Sequence, residues 1–257
     1  MIIDRPLLDD ISALRALWRE AFSDGDAFLN IFFESAFSLS RASVAREGGE
    51  ILGALYWFDC ELLGKKYAYI YAVATAEKHR GKGVCAALMS ATHEYLRALG
   101  YVGAILVPGA PSLFKFYEKM GYRTFGAVKK LTVRAGDTPC KIEKIGKEEY
   151  AELRRKYLPE GGVLQEGENL DFLARLASLY RGEDFVLAAY AEGDILVGSE
   201  LLGNSSPERI GGIISALGLS RGIVRTAGND TPFAMCIMLG DVAEHLPKPK
   251  YFGLAFD

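Results

Sequence analysis

Residues 78–89 read "KHRGKGVCAALM", and how this stretch is understood decides the fold. Lys78, Arg80 and Lys82, with Gly81 and Gly83 among them, run directly into an apolar, helix-forming segment. A helix N-terminus carries N–H groups without intrahelical partners and about half a positive charge. Glycine at positions 81 and 83 lets an anion approach that backbone with no Cβ in the way. Arg80 and Lys82 add mobile positive charge beside it, so the parts together make a pyrophosphate cradle. The plainer alternative is a basic surface turn that caps an amphipathic helix. Two other phosphate motifs are excluded. No Gly-x-x-x-x-Gly-Lys-Ser/Thr occurs, and Gly81-x-Gly83 is followed at the third position by Ala86, far from the first strand.

Composition bounds the rest. The chain has 257 residues, half of them hydrophobic and 11% aromatic, enough for a large buried core and against disorder. A net charge of −3 gives no sign of a nucleic-acid or membrane surface, so the basic turn serves a local purpose. The amino end, "MIIDRPLLDD", lacks a basic n-region, and no apolar run reaches the roughly 18 residues of a membrane span. Cys60, Cys85, Cys140 and Cys236 have no CxxC spacing, and His79, His93 and His245 do not gather beside them. These features predict a cytoplasmic protein with free thiols and no metal.

Outward from the quoted segment, "YAYIYAVAT" before it reads as a strand and the segment itself as a helix over about residues 82–99, ending at Gly100. "YVGAILVP" is a short buried strand, "APSLFKFYEKMG" another helix, and "YRTFGAVKKLTVRAG" a closing strand or hairpin. Toward the amino end, "DDISALRALWREAF" and "DAFLNIFFESAF" are helices, and residues 41–58 are two strands about a Glu-Gly-Gly-Glu turn. This order predicts a mixed α/β (α+β) layered fold. Residues 134–141, "RAGDTPCK", form a linker between domains at 1–135 and 140–257. Beyond it the pattern begins again. A shift of 144 residues puts Gly49-Glu50-Ile51-Leu52 on Gly193-Asp194-Ile195-Leu196, which points to a duplicated domain. The second copy shows no counterpart of "YAYIYAVAT" or of the glycine turn.

The turn, the aromatic strand before it and the later "FYEKMGY" together resemble the GNAT N-acetyltransferase superfamily. The superfamily's Arg/Gln-x-x-Gly-x-Gly/Ala motif is matched by Arg80 to Cys85, with Cys85 where glycine or alanine is usual. The resemblance implies a central mixed sheet flanked by helices, with a truncated second GNAT-like domain after it. It also implies transfer of an acetyl group from acetyl-CoA to the amine of a small molecule or protein. Backbone groups of Tyr71, Ala72 and Val73 would meet the pantetheine arm. Arg80, Gly81, Lys82, Gly83, Val84, Cys85 and Ala86 would hold the pyrophosphate, and Tyr117 would protonate the departing thiolate. An asparagine found in many members is replaced by Ala110, and a common glutamate base by Tyr67.

The base therefore comes from elsewhere, and Asp59, Glu61 and solvent are candidates. His79 is read as a solvated or phosphate-side residue, and His93 and Glu94 as decorating the outer face of their helix. An intact domain joined to a degraded copy is similar to the "enhanced intracellular survival" acetyltransferases, in which a terminal carboxylate enters the first active site. The apolar end "KPKYFGLAFD" accordingly offers Asp257 as the base with Phe256 as its anchor, or else a last strand of the second sheet. A non-catalytic acyl-CoA-binding or sensing module, and transfer of another acyl group, remain as alternative functions.

Overall fold

The structure, a computed structural model, describes residues 1–240 and 251–256. After β1 (Ile2–Asp4) come α1 (Ile11–Phe22) and α2 (Asp26–Ser35). The first of these helices buries Leu14, Leu17 and Trp18, one apolar stripe at helical spacing. β2 (Ala42–Glu47) and β3 (Glu50–Leu62) meet at a turn where Gly48 and Gly49 both take positive φ, and β4 (Lys65–Thr75) returns beside β3. Alternate side chains of β3 serve two cores, as the two-residue period of a strand requires. Tyr56 and Phe58 pack with Leu29 and Phe32 of α2, while Leu55 and Trp57 pack with Leu88 and Met89 of α3 (Val84–Ala98). β5 (Gly103–Leu106), α4 (Pro111–Glu118) and β6 (Arg123–Arg134) follow.

The second half opens with β7 (Glu143–Lys144), α5 (Lys147–Tyr157), β8 (Leu164–Gln165) and α6 (Glu168–Leu176). It continues through β9 (Ser178–Arg181), β10 (Phe185–Glu192), β11 (Ile195–Gly203), α7 (Pro207–Ala216), β12 (Arg221–Ala227) and β13 (Thr231–Met238). One mixed sheet takes in all these strands, in the order β1-β2-β3-β4-β5-β13-β6-β12-β11-β10-β9-β7, with β8 added to the edge of β3. The parallel neighbours are β4 with β5 and β11 with β12, and each pair is joined through a helix.

That order shows two related halves that have exchanged their last strands. β13, from the second half, lies beside β5, and β6, from the first, lies beside β12. Residues 123–134 are thus one strand and no hairpin, because both neighbours of β6 come from the second half. The topology also corrects the 144-residue shift. β11 runs antiparallel to β10 and then parallel to β12 across α7, as β4 runs beside β3 and β5 across α3. The counterpart of "YAYIYAVAT" is therefore β11, and the shift overlaid the wrong hairpin.

Two features organise the interior of the second half. Arg154 and Glu200 form a fully buried ion pair (Nε to Oε2 2.7 Å, Nη2 to Oε1 3.1 Å), and the hydroxyls of Tyr150 and Tyr251 donate to the same carboxylate. The segment from Tyr251 to Phe256 is buried but is not a strand: Tyr251 makes one isolated bridge, to Gly162, and the rest joins no ladder. Among the described residues the cysteines are free, no cluster of metal-ligating side chains forms, and no helix is long and apolar enough to cross a membrane.

Candidate active site

The parallel ladder of β4 and β5 runs from Tyr67–Gly103 to Ile70–Leu106 and ends there. Just beyond its end, β4 is bulged against β3. Tyr71 faces Tyr56 and Ala74 faces Ala54, so Ala72 and Val73 together oppose Leu55. Ala72 takes φ 47°, a left-handed conformation that costs a residue with a Cβ about 1 kcal/mol or more and is most tolerable for a small side chain. A bulge re-aims the backbone and breaks pairing. The strands part at this point, and a cavity of 570 Å³ opens, lined by Tyr71, Ala72 and Val73 on one side and Leu106 and Val107 on the other. The three residues named from sequence in this strand are therefore the ones that bend into a cavity.

The glycine turn lies at the start of α3. Glu77–His79 form a single 3-10 turn, and Arg80 donates from Nε to the Thr75 carbonyl at 3.2 Å. Gly81 and Gly83 take φ of 74° and 80°, and a Cβ on either would meet nothing within 4 Å, so the space beside their backbone is open. The first intrahelical bond runs from the Ala87 N–H to the Gly83 carbonyl (3.0 Å). The N–H groups of Gly83, Val84, Cys85 and Ala86 therefore precede the ladder. Val84 is buried and anchors the turn, Cys85 is half-buried, and Arg80, Lys82 and Ala86 are exposed. Lys78 is paired with Glu50 Oε1 at 2.5 Å, and His79 Nε2 lies 3.6 Å from the same atom, so both point at the start of β3. The matching helix of the second half is closed to an anion: Ser206 caps it by accepting from the Arg209 N–H (3.2 Å), and Pro207 has no N–H to offer.

Tyr117 sits on α4, the short helix after β5, and lines the cavity. Of the neighbouring rings Phe116 and Tyr117, the first is 39% exposed and the second only 8%. Leu113, Phe114 and Tyr117 share the inward face at helical spacing, and Phe116 falls outside it. The Tyr117 hydroxyl makes no hydrogen bond to any described residue. Burial, with a smaller contribution from the Cys85 thiol, holds its pKa above that of an ordinary phenol. Burial likewise pushes Cys85 up to about 11. Both groups are proton donors at neutral pH. Behind Tyr117 stands Tyr122, ring centroids 5.8 Å apart, whose hydroxyl meets His93 Nε2 at 2.8 Å. His93 is thus buried rather than on the outer face of its helix. Desolvation, helped by Arg97, depresses its pKa to about 4.

The far wall of the cavity is built from both halves. Trp18 and Phe28 come from α1 and α2, Leu173 and Leu176 from α6, and Phe256 from the end of the chain. The Phe256 ring packs on Phe172 (4.9 Å) and Phe58 (5.1 Å), and its carbonyl accepts from the Tyr71 hydroxyl at 2.8 Å. Asp257 lies outside the described residues. Among the described residues Asp24 is the cavity's one charged side chain, its Oδ2 accepting from Trp18 Nε1 at 2.8 Å. Sequence reasoning missed it, because "SDG" between two helices reads as an ordinary turn. Three residues weighed from sequence lie away from the cavity. Asp59 accepts from the Tyr101 hydroxyl and lies 3.8 Å from Lys66, Glu61 is exposed on the β3–β8 edge, and Tyr67 reaches Met238 Sδ at 3.9 Å.

A bulged and parted strand pair, a glycine turn at the next helix and a cavity tyrosine on the one after make up the arrangement to be matched with known proteins. Residues 3–125 match the profile of the acetyltransferase (GNAT) domain. This part of the chain is a GNAT domain. The rat N-acetyltransferase family 8 member 2 is 28% identical over 87 residues, which are 32% of this chain and 38% of that protein. A mouse relative, probable N-acetyltransferase family 8 member 5, is 26% identical over 94 residues, or 35% of this chain and 41% of its own. The matched stretch is thus well under half of either relative. The fold extends further. A GCN5-related N-acetyltransferase from Anabaena variabilis superposes with a TM-score of 0.73 at 14% identity, covering 93% of this chain and 73% of its own. Eis1 from Mycobacterium abscessus gives 0.64 at 13% identity, covering 87% and 65%. Outside the GNAT domain, then, the likeness is one of fold.

Proposed function

We propose that the protein is a cytoplasmic N-acetyltransferase that moves the acetyl group of acetyl-CoA to a primary amine. The observation that carries this reading is the Tyr117 hydroxyl, buried, protonated and otherwise unengaged, in a cavity that opens where β4 and β5 part. Arg80, Lys82 and the N–H groups of Gly83 to Ala86 would bind the pyrophosphate, with Gly81 and Gly83 leaving room for it. The bulged backbone of Tyr71, Ala72 and Val73 would orient the pantetheine arm and the thioester carbonyl. The amine nitrogen attacks the thioester carbon, the carbon–sulfur bond breaks, and Tyr117 gives its proton to the sulfur. Asp257, one residue beyond the Phe256 ring, takes the proton from nitrogen in this reading.

The acceptor end favours an apolar amine with a single positive charge. Its lining is aromatic and aliphatic, and Asp24 alone offers a counter-charge among the described residues. Calorimetry with acetyl-CoA, followed by thiol release in the presence of a panel of amines, tests the reading. One acetyl-CoA per chain and turnover with arylalkylamines are expected. Binding without turnover on any amine leaves the sensing module as the function, and absence of binding removes the acyl-CoA reading altogether.

A further inference from the structure

Four successive carbonyls near the end of the chain are each taken by a side chain from another element. Arg225 Nη1, on β12, donates to Gly253 O (3.2 Å) and to Ala255 O (3.4 Å). Gln165 Nε2, on β8, donates to Leu254 O (2.7 Å), and Tyr71, on β4, donates to Phe256 O (2.8 Å). Buried backbone that joins no sheet must find partners elsewhere, and here three side chains do what a neighbouring strand would do. The two donors from the second half are themselves held. Gln165 is fully buried with its Oε1 at 3.5 Å from Arg154 Nη2, inside the Arg154–Glu200 pair that also receives the Tyr251 hydroxyl. The Arg225 guanidinium lies over the Phe233 ring at 4.5 Å. The product of this arrangement is a fixed wall, since Ala255 and Phe256 both line the cavity.

We infer that Gln165 and Arg225 are positioning residues, which hold residues 253–256 so that Phe256 closes the acceptor end of the cavity. The kinetic part of this inference rests on the acetyl-transfer reading, and the clamp itself does not. The second half thereby fixes part of the wall of a cavity lined largely by the first.

The test uses the full chain carrying Gln165→Leu, Arg225→Met or the conservative Arg225→Lys. Amide exchange of the 251–256 segment is followed by mass spectrometry, acetyl-CoA affinity by calorimetry, and kcat and KM with an amine. Each hydrogen bond to a charged or buried donor matters by enough that exchange in this segment should rise about tenfold in Gln165→Leu and Arg225→Met, with KM for the amine rising similarly. Acetyl-CoA affinity should stay within about twofold, and Arg225→Lys should recover part of the loss. Unchanged exchange in the segment overturns the inference. Equal loosening of the whole protein with weakened acetyl-CoA binding does so too, since that is general destabilisation. Gln165→Leu nearly conserves volume and decides the question alone if Arg225→Met does not fold. A wild-type protein that acetylates no amine refutes the acetyl-transfer reading, while the exchange comparison still decides the clamp.

Discussion

Tyr117 combines a buried ring with a hydroxyl that has no protein partner among the described residues and faces a cavity. Removing that hydroxyl should cost the fold little. Tyr117→Phe is expected to change stability by about 1 kcal/mol or less, because no hydrogen bond within the described structure is lost. Turnover should fall by about 100-fold if the phenol protonates the departing thiolate, as measured by single-turnover thiol release. The pH dependence follows from the sign of the shift. The native pKa lies above the ordinary phenol value, so the protonated form and its stabilising burial persist below about pH 10 and are lost only as pH rises beyond it. Transfer should show no alkaline loss from this group in the physiological range. At this scale spacing alone was enough to single out Gly81 and Gly83, which lie at an open helix start, and Tyr117, which lines the cavity. Asp24 was not legible in this way, because it becomes a cavity residue only through the packing of α1 and α2 against a distant segment.

The helix α3 joins two separate devices, an open N-terminus and a buried histidine. Because a Cβ on Gly83 meets nothing, Gly83→Val is strained only by its positive φ, at a cost of about 1–2 kcal/mol. The branched side chain then stands where an anion would approach, so calorimetry should find acetyl-CoA binding abolished in a protein that is still folded. A variant that binds as well as the parent would move the pyrophosphate off this turn. His93 titrates with the opposite sign to Tyr117. Its native pKa of about 4 lies below the unfolded value, so its contribution is complete above about pH 6.5 and is lost as pH falls toward 4. The loss across that window is roughly 3 kcal/mol. His93→Gln keeps a polar partner for the Tyr122 hydroxyl but cannot take up the proton. Urea unfolding between pH 6.5 and 4 should therefore fall steeply for the parent and more gently for the variant. The burial of His93 was illegible in sequence, since the outward-face reading of α3 did not include β6, whose first residues follow Tyr122 directly.

For the whole molecule, the sequence pointed to a repeated order of elements but not to the strand order of the sheet. Each half opens with two helices that periodicity finds, whereas β10 and β11 are shorter than β3 and β4 and the helices that follow are differently spaced, so a constant shift slides off the equivalent hairpin. Nor does hydrophobic pattern reveal which sheet a strand will enter, because an alternating strand suits either one. The exchange of β6 and β13 makes the two halves one folding unit. An isolated fragment of residues 1–135 would strip β6 of both its partners and β5 of one, leaving twelve residues of strand with no ladder and an exposed edge at β5. That fragment should be insoluble or unfolded by circular dichroism, although it contains the entire GNAT match. Co-expression with residues 136–257 should restore a soluble complex, and the intact chain should unfold in urea as a single transition seen alike by fluorescence and circular dichroism. A fragment that folds alone and binds acetyl-CoA with the affinity of the full chain would show the exchanged strands to be dispensable, and two separated transitions would show that the halves do not share their stability.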